Sequence, residues 1–238
     1  MLTKVRIIIS LILQLSVNDK KVNLMKVYAY GEDALTLWAI KNRLPEILGK
    51  LGDKTKVDEC KIFFRPSFGR GGKGTFGEFD FIILSDDKLY LGESKWDGAK
   101  KAKAKVHIKF KQQQLRRHEI FKWYIEKIKE ILKEECWSTF KEKYKDDFSK
   151  CFGPKEIPDL DKKGLKPLLV ENLITVLKLI AKKPDKIVDV LLYFYNGKNL
   201  EDGCKVTNDN SFECVSVDYN DDNKEDGVKN NLIKIELQ

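Results

Sequence analysis

The chain has 238 residues, enough for one well-packed core or for a core with an elaborated second lobe. Lysine and arginine number 45 against 37 aspartates and glutamates, which gives a formal net charge of +8. The segment from Trp96 to Lys133 holds 12 basic and 4 acidic residues and so carries the whole excess. This distribution excludes a uniformly basic protein and favours one basic surface of the kind that meets a phosphate backbone.

The cysteines argue against two common classes of small protein. There are five of them, and no two are spaced as C-x-x-C: Cys60, Cys136, Cys151, Cys204 and Cys214. An odd number without such a pair disfavours a zinc ribbon, an iron–sulfur cluster and a disulfide framework. We therefore predict reduced, mostly buried thiols in a cytoplasmic protein.

The N-terminal region contains an apolar run that resembles a targeting signal. Val5–Val17 follows Lys4, but it lacks a small-residue cleavage site and is too short to span a bilayer. We predict a buried strand or short helix there and no membrane association. Met25 opens a second candidate start of translation, so the sequence leaves the choice between Met1 and Met25 open.

The first elements of the core alternate between helix and strand. Apolar residues recur at helical spacing from Tyr30 to about Leu51, which predicts a helix with one buried face that Gly52 ends. Val57–Pro66 has the composition of a strand. The glycine-rich stretch 67–77 that follows predicts a loop without regular structure.

A β-hairpin is the clearest prediction in the chain. Two apolar runs, Glu78–Leu84 and Lys88–Trp96, are joined by a short polar turn. Side chains alternate between the faces of a strand, so Asp80 shares one face with Ile82 and Leu84, while Glu93 and Lys95 share one face with Leu91. The hairpin therefore places three polar groups at the end of otherwise apolar strand faces.

The rest of the chain predicts helices and further strands. A long basic helix is expected from about Lys105 to Lys133, with Gln114 and His118 on its inward face. A helix at Pro167–Lys182 follows, and Ile187–Tyr195 has the composition of a strand buried on both faces. Phe212–Tyr219 and Leu232–Leu237 are the last predicted strands.

We therefore predict an α/β fold with a central mixed β-sheet flanked by helices. The predicted parts are an N-terminal apolar extension (1–27), a core of a helix, three strands and the basic helix (28–135), an irregular or helical insertion (136–166), and a helix with C-terminal strands that complete the sheet (167–238).

Asp80, Glu93 and Lys95 form the constellation that carries chemistry. Carboxylates are hard oxygen ligands suited to Mg²⁺ or Mn²⁺, which usually take one or two of them and complete their shells with water and phosphate. A lysine two residues after Glu93 projects from the same face and could activate a water or neutralise a phosphorane-like transition state. An exposed cross-strand salt bridge is the alternative interpretation, but charges that interrupt a core-facing apolar pattern are costly unless paired or bound to metal.

The order of these features resembles the PD-(D/E)xK nuclease superfamily, which includes restriction endonucleases, Holliday-junction resolvases and recombination exonucleases. The resemblance lies in Gly-Glu-Phe-Asp80 on one strand, Glu93-Ser94-Lys95 on the next, and a following helix that carries glutamine. It covers roughly Gly31–Lys133 and the strand Ile187–Tyr195. It implies a restriction-endonuclease-like core, with Asp80 and Glu93 as ligands of Mg²⁺, for which Mn²⁺ may substitute, and Lys95 as the catalytic lysine.

Two further residues enter the site through the same resemblance. Glu32 would match an acid near the metal on the first helix, although the helical phase puts Asp33 on the buried face and leaves the two open. Gln114 would match a glutamine on the helix after the lysine. His118 is interpreted as a structural polar residue on that helix face.

The basic residues around this site predict contacts with DNA phosphates. They are Arg70, Lys73, Lys100, Lys101, Lys103, Lys105, Lys109, Lys111, Arg116 and Arg117. The stretch Gly69–Thr75 resembles a P-loop, but Gly74 separates Lys73 from Thr75 and a strand follows, so we predict no nucleotide cofactor.

The sequence thus predicts a Mg²⁺-dependent nuclease that cuts double-stranded or branched DNA, as an endonuclease rather than an exonuclease. A homodimer would suit cleavage of both strands. The alternatives are a nuclease-like module that binds DNA without cutting it, and an RNA substrate. The aromatic residues are too dispersed along the sequence to predict recognition of single strands by stacking.

Overall fold

The computed structural model describes residues 25–68, 77–86, 88–96, 106–133, 137–153, 157, 165–181, 183–195, 204–219 and 232–237. The predictions for Val5–Val17, for most of the glycine loop and for the segment 97–105 lie outside the described residues. In chain order the elements are β1 (Met25–Tyr30), α1 (Glu32–Lys50), β2 (Lys61–Phe64), β3 (Phe81–Leu84), β4 (Lys88–Trp96), β5 (Val106–Ile108), α2 (Gln112–Glu126), α3 (Ile128–Lys133), α4 (Trp137–Phe152), α5 (Leu165–Ile180), β6 (Lys186–Tyr195), β7 (Cys204–Val206), β8 (Phe212–Asp218) and β9 (Leu232–Leu237).

A five-stranded mixed sheet in the order β2-β3-β4-β6-β8 forms the centre of the molecule. Strands β2, β3 and β4 pair antiparallel, whereas β6 runs parallel to both β4 and β8. The parallel β4–β6 pair needs a long crossover, which the helices between these two strands supply. The prediction of an α/β fold with a mixed central sheet flanked by helices is confirmed.

Helices cover both faces of this sheet. On β4, Ser94 accepts a hydrogen bond from Thr36 of α1 at 2.8 Å, while the neighbouring Glu93 contacts Gln114 and His118 of α2. Because adjacent residues of a strand point to opposite faces, α1 and α2 lie on opposite sides of the sheet. The core on the α2 side is built from apolar side chains of the hairpin and of helices α2 to α5.

Two smaller sheets lie outside the central one. Strand β5 pairs in parallel with β7, and β1 pairs with β9. The chain divides into two compact units, Ala29–Ile233 and a smaller unit of Met1–Tyr28 with Lys234–Gln238, so most of the β1–β9 pair belongs to the smaller unit. Of the C-terminal strands expected to complete the sheet, β8 does so and β9 does not. No helix in the described part of the chain is both long and apolar enough to cross a membrane.

The basic segment differs most from its prediction. The helix expected from Lys105 begins at Gln112, and Val106–Ile108 is a strand instead. Val106–Ile108 is a strand because it pairs with β7, which is distant in sequence and which a local helical pattern cannot predict. The helix is also interrupted at Lys127, so the predicted single helix is two, α2 and α3. Similarly, Val57–Glu59 forms a 3₁₀ turn, so the first predicted strand is only Lys61–Phe64.

The close packing of Gly92 against Phe81 in the hairpin can be tested by substitution. Its register partner is Phe81, whose ring is fully buried and occupies the space where a Cβ on Gly92 would lie. Gly92→Ala should therefore lower the free energy of unfolding by about 1 to 3 kcal/mol in urea denaturation. Gly49→Ala is the control, because nothing lies within 4 Å of its added Cβ. That variant should be neutral or more stable by up to about 1 kcal/mol, and an equal loss in both would contradict the packing.

Candidate active site

The β3–β4 hairpin brings Asp80 and Glu93 together. The regular pairing of the hairpin ends at Phe81 and Gly92, and Asp80, just before β3, donates its backbone N–H to Gly92 O at 3.2 Å. This hydrogen bond is shifted by one residue from the pairing of β3 with β4, as in a β-bulge. The charge of Glu93 acts on Asp80, so the two carboxylates are neighbours. The expectation that they share one face of the sheet stays a prediction.

The negative charge of Asp80 is compensated by fewer hydrogen bonds than that of Glu93. Among the described residues, its carboxylate accepts one hydrogen bond, from Ser94 N to Oδ2 at 2.7 Å. Burial and then the charge of Glu93 raise the pKa of Asp80 to about 6, against the lowering effects of Ser94 N and Lys95. The carboxyl group therefore lies where another negative charge is unfavourable and where a cation would be favoured.

Lys95 and Glu32 meet at the end of β4. Lys95 Nζ lies 3.1 Å from Glu32 Oε1, and Glu32 Oε2 accepts a hydrogen bond from Trp96 N at 3.1 Å. Both Lys95 and Glu32 act electrostatically on Asp80, so the four predicted polar groups share one neighbourhood.

Of the two acids at the start of α1, Glu32 and not Asp33 contacts β4. The helical-phase argument for Asp33 was wrong: its side chain is 52% exposed and forms an ion pair with Arg65. Glu32 is the first residue of α1, where no preceding turn of helix restricts its side chain, and it turns toward β4.

Glu93 is almost fully buried and is surrounded by donors from α2. Its carboxylate accepts hydrogen bonds from Gln114 Nε2 at 3.0 Å and from Arg117 Nη2 at 3.1 Å, and His118 Nε2 lies 3.2 Å from its Oε1. Positions 114, 117 and 118 fall on one face of a helix, which is why a single element supplies all three groups. Gln114 and His118 thus point toward the sheet as their phase predicted.

His118 joins Glu93 to a second buried acid that the sequence did not single out. His118 Nδ1 lies 2.8 Å from Asp189 Oδ1 on β6, and Asp189 also pairs with Lys122. Burial alone would lower the pKa of His118, but the hydrogen bonds and charges of Asp189 and Glu93 raise it overall. The sequence did contain a signal for Asp189, since it is the one acid inside the apolar run IVDVLLYFY. A charge in a strand that is buried on both faces needs a partner.

Two arginines predicted to contact DNA are turned into the protein. Arg117 binds Glu93 and the carbonyl oxygen of Glu78, with its side chain 14% exposed, and Arg116 donates to the carbonyl of Phe152. The prediction needs correction for this pair, because Arg117 is the counter-charge of the buried Glu93 and Arg116 is held by a backbone carbonyl. Lys109 and Lys111 are exposed as a phosphate contact requires. The remaining predicted contacts lie outside the described residues: Arg70, Lys73, Lys100, Lys101, Lys103 and Lys105.

The candidate site offers a metal ion two carboxylates, those of Asp80 and Glu93. Within the described ranges, no group of three or more His, Cys, Asp or Glu side chains is arranged to hold a metal ion. Mg²⁺ and Mn²⁺ commonly take one or two carboxylates and fill the remaining positions with water and phosphate. The raised pKa of Asp80 beside Glu93 is the feature of this pair that fits a cation.

Replacing Asp80 with Asn tests this electrostatic environment without any assay of activity. The folded-state pKa of about 6 lies above the ordinary value of 3.8, so the folded protein binds this proton more tightly than the unfolded chain does. Asp80 therefore costs stability as pH rises from about 4 to 6, reaching about 3 kcal/mol above pH 6. In EDTA, Asp80→Asn should be more stable than wild type above pH 6 and should match it near pH 4.

Asp185→Asn is the matched control, since Asp185 is an exposed acid just before β6. Its stability should follow wild type over the whole pH range in urea titrations. An Asp80→Asn variant that also follows wild type would contradict the raised pKa.

Comparisons of the chain with protein-family models, with curated proteins and with solved structures found no match. The function must therefore be argued from the geometry and chemistry of these residues.

Proposed function

We propose that this protein is a divalent-metal-dependent nuclease that hydrolyses DNA phosphodiester bonds, acting within strands rather than from their ends. The observation that carries the proposal is the closeness of Asp80 and Glu93 at the end of the hairpin, with Lys95 two residues after Glu93 on β4 and its charge also acting on Asp80. These are the residue types that metal-assisted phosphate hydrolysis uses.

Asp80 and Glu93 would hold the metal, with Mg²⁺ as the expected ion and Mn²⁺ as a substitute. When bound, such an ion supplies the charge that lowers the pKa of a water and offsets the charge on the leaving oxygen. Asp80 would be the ligand more open to a cation, since among the described residues its carboxylate accepts one hydrogen bond, whereas Glu93 accepts two and also contacts His118 Nε2.

Lys95 would orient the attacking water and offset charge on the phosphate. Its ammonium group is held by Glu32 Oε1 and by the carbonyl oxygen of Ser94, which restrict where it points. Glu32 would thus position the lysine while its second oxygen holds the backbone of Trp96. Preorganised charges of this kind act without reorganisation during the reaction.

DNA would approach over the exposed lysines that precede α2. Lys109 and Lys111 are exposed and follow β5, whereas Arg117 is the counter-charge of Glu93 and Arg116 binds the carbonyl oxygen of Phe152. We also propose that the chain belongs to the PD-(D/E)xK superfamily and has its restriction-endonuclease-like core. A homodimer would be the form suited to cutting both strands of a duplex.

One observation favours a second candidate, a DNA-binding module without catalysis. The Glu93 carboxylate is already compensated by Arg117 and contacted by His118, as expected for a buried structural ion pair. Such a module would bind DNA with a steep salt dependence and without any metal requirement.

The deciding assay incubates plasmid, linear and branched DNA with the protein in Mg²⁺, Mn²⁺ or EDTA. Wild type should cut with metal and lose activity in EDTA. Lys95→Ala should reduce cleavage by about a hundredfold to ten-thousandfold while DNA binding stays nearly intact, because one charge contributes little to a broad basic surface. Asp80→Ala should reduce cleavage comparably.

Matched controls are Asp185→Ala and Lys178→Ala, which remove the same charges at exposed positions. Both should cut like wild type. Equal residual cutting by wild type and Asp80→Ala at matched DNA occupancy would identify a contaminant and refute the nuclease proposal.

A further inference from the structure

An aromatic cluster lies beside the candidate active site. The fold joins Tyr30, Trp96 and Tyr219, which are far apart in the sequence, so the sequence-based view that the aromatic residues are too dispersed does not hold here. The rings of Tyr30 and Trp96 are 5.2 Å apart and nearly perpendicular at 83°, and Trp96 Nε1 donates to the Tyr219 hydroxyl at 3.0 Å. All three residues belong to the larger unit.

The cluster is fixed on one side and open on the other. Tyr219 is 4% exposed and anchors the indole, while the backbone of Trp96 is held by Glu32. Tyr30 stands edge-to-face on that anchored indole and is 61% exposed. A large aromatic ring held in one orientation with an open face is suited to stacking a flat ligand.

The position of the cluster identifies the ligand class. Trp96 follows Lys95 on β4, so their side chains leave opposite faces of the sheet where the strand ends. Glu32 contacts both residues there, binding Lys95 Nζ with one oxygen and Trp96 N with the other. A DNA strand that passes over the end of β4 with a phosphate at Lys95 would bring an adjacent base to Tyr30 and Trp96. Bases stack on aromatic side chains whatever their identity, but only when they are unpaired.

We propose that Tyr30, supported by Trp96, is a stacking site for an unpaired nucleobase next to the scissile phosphate. The proposal rests on the proposed nuclease function and narrows its substrate class to single-stranded, forked or branched DNA. A fully paired blunt duplex keeps its bases within the helix and would not use this site.

The test is fluorescence anisotropy in EDTA, so that binding is measured without cleavage. The probes are a labelled single-stranded oligonucleotide, a forked duplex with unpaired arms, and a blunt duplex. Tyr30→Ala should weaken binding to the first two by about fivefold to a hundredfold and change blunt-duplex binding less than twofold. Tyr30→Phe should keep wild-type affinity, because stacking does not need the hydroxyl.

Phe64→Ala is the control, since Phe64 is an exposed aromatic residue on the edge strand β2 and is 38% exposed. It should bind all three probes like wild type. A second readout scans one abasic position along the forked arm. Wild type should lose affinity at one position, and Tyr30→Ala should show no further loss there, because both changes remove the same contact.

The stacking site would be refuted if Tyr30→Ala bound every probe like wild type, if it lost affinity equally for all three, or if wild type bound no probe. Loss in Tyr30→Phe equal to that in Tyr30→Ala would assign the effect to the hydroxyl and also refute it. Failure of the nuclease proposal would be seen separately, as wild-type cutting that is indifferent to EDTA or to Asp80→Ala while the binding results stand.

Discussion

Burial of the Glu93 carboxylate in the central strand is the constraint around which the other polar groups are arranged. Glu93 is 1% exposed, and removing a carboxylate from water lowers the stability of the fold by several kcal/mol unless hydrogen bonds and opposite charges compensate it. Helix α2 meets this requirement with Gln114, Arg117 and His118. His118 in turn needs Asp189, which ties β4, α2 and β6 together through charge as well as through packing.

The two neighbouring carboxylates, Asp80 and Glu93, therefore differ in how well the protein compensates their charges. Glu93 is compensated from inside the protein, whereas Asp80 accepts one hydrogen bond from the described residues and has a raised pKa. Proteins tolerate such unfavourable groups mainly where function requires them, because the same residue replaced by a neutral one would stabilise the fold. The raised pKa of Asp80 is thus the physical argument for the proposed cation at this end of the hairpin.

Sequence patterns predicted the hairpin well, because strand alternation is local and Glu93 visibly interrupts an apolar face. They missed β5, Asp189 and the inward turn of Arg117, since each depends on a partner distant in sequence: β7, His118 and Glu93. Helical phase also chose Asp33 over Glu32, because a first-turn side chain is not confined to the face of the helix that follows. The joining of Tyr30, Trp96 and Tyr219 is likewise a property of the fold alone.

The central claim, that Asp80 and Glu93 form a divalent-cation site, is tested most directly by titrating the protein with Mn²⁺ and following free Mn²⁺ by electron paramagnetic resonance. Wild type should bind one Mn²⁺ weakly at pH 7.5, with affinity falling as pH drops through about 6, where Asp80 takes up its proton. Asp80→Asn should lose this binding, while Asp185→Asn retains it. Equal Mn²⁺ binding by wild type and Asp80→Asn, or none by wild type, would contradict the claim.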